Sequence, residues 1–149
     1  MSRRLGGRIA LLVLVALLTA SVALAAAPKK GASYRGTLAA PRTGFVITFK
    51  VSADGKKVTA LKINNLPAFC SSGGPPVPLS FRNATIGAGK FKSTATQHIS
   101  TGPLKGQIGA KLTITGAFAN GGKERGKLSV KFGRAPACNG SSTYTTHAA

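Results

Sequence analysis

The segment that decides the fold spans residues 46–63 and reads VITFKVSADGKKVTALKI. Apolar residues recur at every second position up to Val51, which is the period of a half-buried strand. Asp54-Gly55 then supplies the residue types of a tight hairpin turn, and residues 57–63 have the composition of the returning strand. This segment therefore predicts an antiparallel β-hairpin.

Residues 111–132 repeat the pattern, with apolar residues and lysines alternating on both sides of Asn120-Gly121-Gly122. Shorter strands are predicted at residues 33–38, 79–82, 89–92, 104–108 and 141–146. The predicted core takes the alternating apolar residues of the two hairpins, namely Ile47, Phe49, Val51, Leu61, Ile63, Leu112, Ile114, Phe118, Leu128, Val130 and Phe132. Eight or nine short strands predict an all-β fold, either an antiparallel β-sandwich or a flattened barrel.

Two segments are predicted to connect strands rather than to form them. Residues 71–78 contain three prolines, which cannot donate to a β-ladder, so this stretch is expected to be an extended surface loop. Residues 93–103 are polar and are predicted to form a second connection.

The N-terminus has the pattern of a secretory signal peptide. Three arginines within the first eight residues precede a ten-residue apolar run and then small residues,. Cleavage after Ala25 is preferred to cleavage after Ala27, because the second would place Pro28 beside the scissile bond. The alternative is an uncleaved anchor, since the 19 residues that end at Ala27 could span a bilayer,. We predict a signal peptide over residues 1–25 and one secreted β-domain over residues 26–149.

Cys70 and Cys138 are the only cysteines, an even count in a chain predicted to be exported. A disulfide between them is the expected state in an oxidising compartment. The alternatives are free thiols or a metal site, and the absence of histidine at ligand spacing disfavours metal.

The chain has two carboxylate side chains, Asp54 and Glu124. Both are predicted to be solvated residues at hairpin turns, and nothing in their spacing joins them as an acid/base pair. His98 and His147 lack the orienting acid and oxyanion site that serine–histidine catalysis needs. The sequence also lacks a nucleophile elbow and a phosphate-binding glycine loop. We therefore predict that the protein is not an enzyme and has no catalytic residue, cofactor or metal.

Charge is the unusual property of this sequence. It has 21 Lys and Arg against 2 Asp and Glu, a formal charge of +19. Removal of residues 1–25 with their three arginines would leave +16. Such an excess attracts polyanions. The alternative interpretation is a solvated basic surface that keeps a secreted protein soluble and protects its sheet edges. With no Trp and few other aromatic residues, stacking on bases is not indicated, and sequence-specific nucleic-acid binding is not expected.

Short motifs are distributed over most of the predicted mature chain: Tyr34-x-Gly36, Ile47-x-Phe49-x-Val51 before Asp54-Gly55-Lys56, Gly89-Lys90-Phe91, Ile114 to Phe118, and Cys138 with Gly140 and Thr143-Tyr144. In this combination the chain resembles uncharacterised small secreted β-domain proteins of high-GC Gram-positive bacteria. That family has no assigned activity, so the resemblance implies a fold and a compartment only.

Two classes of function follow from these observations. The first is a non-catalytic, monomeric module, secreted or associated with the cell envelope, that contacts anionic wall polymers or a membrane surface. The alternative is a protein-binding or inhibitor-like module that presents the proline-rich loop 71–78 to an unidentified protein partner.

Overall fold

In the part of the chain that the structure describes, nine β-strands form one antiparallel sheet that curls into a nearly closed barrel, which confirms the predicted all-β fold. The structure is a computed structural model that describes residues 25–70 and 77–149. The predicted signal peptide and most of the proline-rich loop lie outside the described residues. The strands are β1 (Ser33–Leu38), β2 (Val46–Val51), β3 (Lys57–Ile63), β4 (Leu79–Ser80), β5 (Ala84–Thr85), β6 (Lys90–His98), β7 (Ile108–Ala119), β8 (Lys123–Phe132) and β9 (Gly140–Ala148).

The strand order around the sheet is β4-β3-β2-β1-β9-β8-β7-β6, and β5 pairs with β3. The segment between β4 and β6 brings the two edges together. The Phe81 amide donates to the Leu61 carbonyl of β3 at 2.8 Å, and the Arg82 amide donates to the Thr94 carbonyl of β6 at 3.3 Å. Because both edges are covered in this way, little open β-edge is left for pairing with another chain.

The interior of the barrel is filled by aromatic and branched side chains. Tyr34 stacks on Phe49 with ring centroids 4.8 Å apart, and Phe118 meets Tyr34 edge-on at 5.5 Å. Every residue of the predicted core is buried except Phe132. Phe132 is only partly buried because it is the last residue of β8, where the barrel wall ends.

Residues 93–103 are predicted to form one connection, but residues 93–98 belong to β6. Ser93 is buried, and its hydroxyl donates to the Arg82 carbonyl, so a polar side chain is satisfied at an inward position,. The prediction of a strand at residues 104–108 is also wrong. The chain turns there, with Gly102 and Gly106 at φ of 76° and 84°, and only Ile108 joins β7.

The predicted disulfide is present and joins Cys70 to Cys138, whose Cα atoms are 4.4 Å apart. The neighbouring Phe69 amide donates to the Cys138 carbonyl at 2.9 Å. Arg42 lies over the Phe69 ring, 5.0 Å from its centroid. The bridge therefore fixes the chain just before the proline-rich loop against the segment that leads into β9.

A β-bulge interrupts the pairing of β2 with β3. Thr48 pairs with Lys62 and Lys50 pairs with Thr59, so Ala60 and Leu61 together lie opposite a single residue. Ala60 adopts a φ of 50°, the left-handed conformation in which this bulge position normally carries glycine,. The bulge changes the alternation along β3: Val58 and Leu61 are both buried, although they are three positions apart.

Replacing Ala60 with Gly is expected to stabilise the protein slightly. The left-handed conformation costs an L-residue about 1–2 kcal/mol, whereas the added freedom of glycine in the unfolded chain costs about 0.4–1 kcal/mol. Chemical denaturation should give a net gain of about 0.5 kcal/mol. Ala117→Gly, on a strand with ordinary backbone angles, is the control and should lose about 0.5–1 kcal/mol. Equal losses in the two variants would contradict the assignment of strain to Ala60.

Candidate functional site

Glu124 is buried inside the barrel and is not the solvated turn residue predicted from the sequence. It lies on β8 at 0% exposure, while its neighbours Lys123 and Arg125 point outward. Its carboxylate accepts hydrogen bonds from the Tyr144 hydroxyl at 2.8 Å and from the Thr146 hydroxyl at 2.7 Å. Burial raises the pKa of Glu124 to about 7, against the lowering effect of these two hydrogen bonds,.

Two glycines make room for this cluster. Gly116 and Gly126 are cross-strand partners on β7 and β8. A Cβ at Gly116 would overlap the Glu124 carboxylate and the Phe91 ring, and a Cβ at Gly126 would overlap the Tyr144 ring. The glycines therefore allow a carboxyl group, a phenol and a hydroxyl to share the interior with aromatic rings.

The buried cluster is closed to solvent, so a substrate cannot contact Glu124 in this structure. Asp54 is exposed in the β2–β3 turn, where it accepts hydrogen bonds from the Ser52 hydroxyl and the Lys56 amide. These contacts lower the pKa of Asp54,. The two carboxylates have separate partners, and the structure does not form an acid/base pair from them.

The two histidines border separate surface depressions, of about 220 Å³ for His98 and about 430 Å³ for His147. His98 is exposed at the end of β6, and His147 is exposed on β9. Within residues 25–70 and 77–149, no group of three or more His, Cys, Asp and Glu side chains is placed to hold a metal ion. No helix in the same described ranges is long and apolar enough to cross a membrane.

The outer surface of the barrel is strongly basic. Eighteen of the 21 Lys and Arg residues follow residue 25, and all of these are exposed except Arg42 and Lys123, which are partly buried. Since Glu124 is inside, Asp54 is the one carboxylate side chain on the surface. The positive charge of the sequence is therefore displayed outside with almost no fixed counter-charge.

The long strands β6, β7 and β8 carry more basic residues on their outer face than β1, β2 and β3 do. Seven basic residues lie there: Lys90, Lys92, Lys111, Lys123, Arg125, Lys127 and Lys131. Lys111 and Lys131 lie directly opposite each other on neighbouring strands, an arrangement that is destabilising for like charges. By comparison, the outer face of β1, β2 and β3 carries four: Arg35, Lys50, Lys57 and Lys62.

Three of the seven cations, Lys90, Arg125 and Lys127, border a shallow depression of about 380 Å³ on this face. Lys92 lies beside it as the pairing partner of Thr115. Its central strand β7 contributes only the short side chains of Thr115 and Ala117, while the strands on both sides contribute long basic ones. We call this depression together with the flanking Lys92 the basic groove, and its residues are Lys90, Lys92, Thr115, Ala117, Arg125 and Lys127. Nothing in the sequence alone indicated it, because it depends on the register of three strands.

A second depression, of about 410 Å³, lies on the outer face of β1, β2 and β3. Arg35, Lys50 and Lys62 line it, together with the exposed bulge residue Ala60. Arg35 and Lys62 face each other across Thr48 of β2. They form a single facing pair, whereas the basic groove has two successive pairs across β7.

Comparison with protein-family models, with curated proteins and with solved structures finds no match for this chain.

Proposed function

We propose that the protein is a secreted, non-catalytic β-barrel module that binds anionic polymers of the cell envelope through its basic outer surface. One observation carries this proposal: exposed cations cover the barrel, whereas one of the two carboxylates is withdrawn into the interior. Such a surface concentrates polyanions by long-range electrostatics. The Cys70–Cys138 disulfide supports an oxidising, extracytoplasmic location,.

Retention on an immobilised anionic polymer at a series of salt concentrations tests the proposal. Binding through dispersed cations releases counterions, so the logarithm of the binding constant should fall linearly with the logarithm of the salt concentration. Four contacts to a single-stranded polymer would give a slope of about −3. A neutral polysaccharide of the same length is the control and should retain nothing.

The same experiment separates this proposal from the protein-binding alternative. An apolar contact through residues 71–78 would be almost independent of salt, because screening acts on charges. If the anionic polymer retains no protein even at low salt, the proposed function is wrong and the positive charge serves solubility. Salt-independent capture of a protein partner would favour the alternative.

A further inference from the structure

We propose that the basic groove binds a single chain of a polyol phosphate, that is, a linear polymer in which short polyols are joined by phosphodiesters. This inference rests on the proposed function and goes further by naming the site and the ligand chemistry. It depends on how three strands are paired, since the pairing places four cations around one strip of small side chains.

The registers of β6 and β8 on β7 place these cations in two facing pairs. Lys90 and Arg125 both pair with Ala117, one from each side. Two residues along, Lys92 and Lys127 both pair with Thr115. Neighbouring strands are about 4.8 Å apart, so the two rows stand about 10 Å apart at the backbone. Successive cations in a row are about 7 Å apart, since they are separated by two residues.

The strip between the two rows is open along β7. Thr115 and Ala117 are too short to fill it, and the backbone of Gly116 and Gly126 forms part of its lining. Another depression, of about 280 Å³, adjoins the basic groove and shares Lys90, Ala117 and Arg125 with it. The two depressions are therefore continuous and lead toward Ala119 and Asn120 at the end of the barrel.

The dimensions favour one extended polymer chain over a wider ligand. Two rows about 10 Å apart leave room for a single strand along β7, whereas a bilayer or a double helix is too broad to enter between them. A phosphodiester also carries two non-bridging oxygens that point to opposite sides of the chain. Both oxygens can therefore be met at once, one by each row, while a carboxylate on a sugar ring presents its charge to one side only.

The position of the aromatic rings separates a polyol phosphate from a single-stranded nucleic acid. Proteins bind single strands by stacking bases on exposed aromatic side chains. Phe91 contributes to the lining of the basic groove, but its ring and that of Phe118 are buried in the core, at 4% and 2% exposure. The basic groove therefore offers cations for a backbone but no surface for a base.

The cations of the basic groove have no carboxylate beside them on this face. Glu124 is the only acidic residue of β6, β7 and β8, and it points inward to Tyr144 and Thr146. A bound polyanion would supply the missing counter-charge. It would also relieve the repulsion among basic side chains that face each other across β7,.

The affinity for a poly(glycerol phosphate) of defined length is compared between two variants that lose the same number of positive charges. The groove variant combines K90Q, K92Q, R125Q and K127Q. The control variant combines R35Q, K50Q, K57Q and K62Q on the opposite part of the barrel wall. We expect the groove variant to lose at least tenfold in affinity at low salt and its salt slope to become shallower by about 3, at about 0.7 per lost contact. The control variant should lose less than threefold.

A third variant changes the shape of the basic groove without changing its charge. Ala117→Gln would place a longer neutral side chain on the floor between Lys90 and Arg125, where the structure leaves space. We expect a loss of three- to tenfold in affinity with an unchanged thermal midpoint. Since all substituted side chains face outward, circular dichroism should report the same fold for the three variants.

Each outcome decides the proposal. Equal losses in the groove and control variants would overturn the site but keep the proposed function, because binding would then follow net charge alone. Tighter binding of oligo(dT) or of anionic vesicles than of the polyol phosphate would overturn the ligand assignment. If the unmodified protein binds no polyanion at low salt, the proposed function itself is wrong. Should the groove variant fail to fold, single variants K92Q and K127Q give the same comparison.

Discussion

Replacing Glu124 with Gln is expected to remove most of the pH dependence of stability between pH 4.5 and 7. The pKa of Glu124 is raised from 4.5 to about 7 by burial inside the barrel. Between these two values the folded protein holds a proton on Glu124 that the unfolded chain has released. Folding therefore takes up a proton, and stability must fall as the pH rises.

The size of this pH dependence of stability follows from the shift in the pKa of Glu124. A displacement from 4.5 to about 7 corresponds to a loss of about 3 kcal/mol on going from pH 4 to pH 8, at 1.36 kcal/mol for each pH unit. The stabilising contribution is complete below pH 4.5 and is lost as the pH passes through about 7. The wild-type protein should therefore be less stable at pH 8 than at pH 4.

Gln can replace the protonated carboxyl group with little disturbance. Its carbonyl can accept the hydrogen bond from the Tyr144 hydroxyl, and its amide can donate to the Thr146 hydroxyl, at the two positions that the carboxylate oxygens now occupy,. Because Gln does not ionise, the variant should match the wild type at pH 4 and exceed it by about 3 kcal/mol at pH 8.

Urea denaturation at several pH values from 4 to 8 measures this difference. Asp54→Asn is the matched control, because Asp54 is the only other acidic side chain and its pKa is lowered. Its contribution is lost only as the pH falls below 3.8, which is outside the window,. The exposed His98 and His147 are present in every variant and cancel in the comparison. Parallel curves for the wild type and Glu124→Gln would contradict the prediction.

The alternation of apolar and polar residues was sufficient to predict the main hairpins. The bounds predicted for β1 and β3, 33–38 and 57–63, are those of the structure. Alternation along β8 also indicates that Glu124 points inward. That residue has the same parity as Leu128 and Val130, both of which are buried. The charged neighbours Lys123 and Arg125 favoured a solvated turn, but they belong to the outward set.

The basic groove could not be predicted in the same way, because it is a product of pairing between strands. The sequence pattern predicts a strand at residues 89–92, whereas β6 continues to His98 and pairs along its length with β7. Only that register places Lys90 and Lys92 across β7 from Arg125 and Lys127. Residue types along one strand carry no information about which residues stand opposite on the next two.

The disulfide, unlike the basic groove, could be predicted from the sequence, since two cysteines allow a single intramolecular pairing. Replacing both Cys70 and Cys138 with Ser is expected to cost about 4 kcal/mol of stability, because the bridge closes a loop of about 69 residues in the unfolded chain. The partners are 68 positions apart in the sequence. A loss of this size is a large part of the 5–15 kcal/mol that holds a typical domain together.

The folded contacts around the bridge should survive the double substitution, so the loss should come mainly from the unfolded state. The Phe69 amide still reaches the carbonyl of residue 138, and the Phe69 ring still lies against Arg42 and Gly140. Denaturation of the oxidised protein, the reduced protein and the double variant measures the effect, with the reduced protein and the variant expected to agree. Intact-mass analysis after alkylation checks the starting state. Two alkylated cysteines before reduction, or a double variant as stable as the oxidised protein, would refute the prediction.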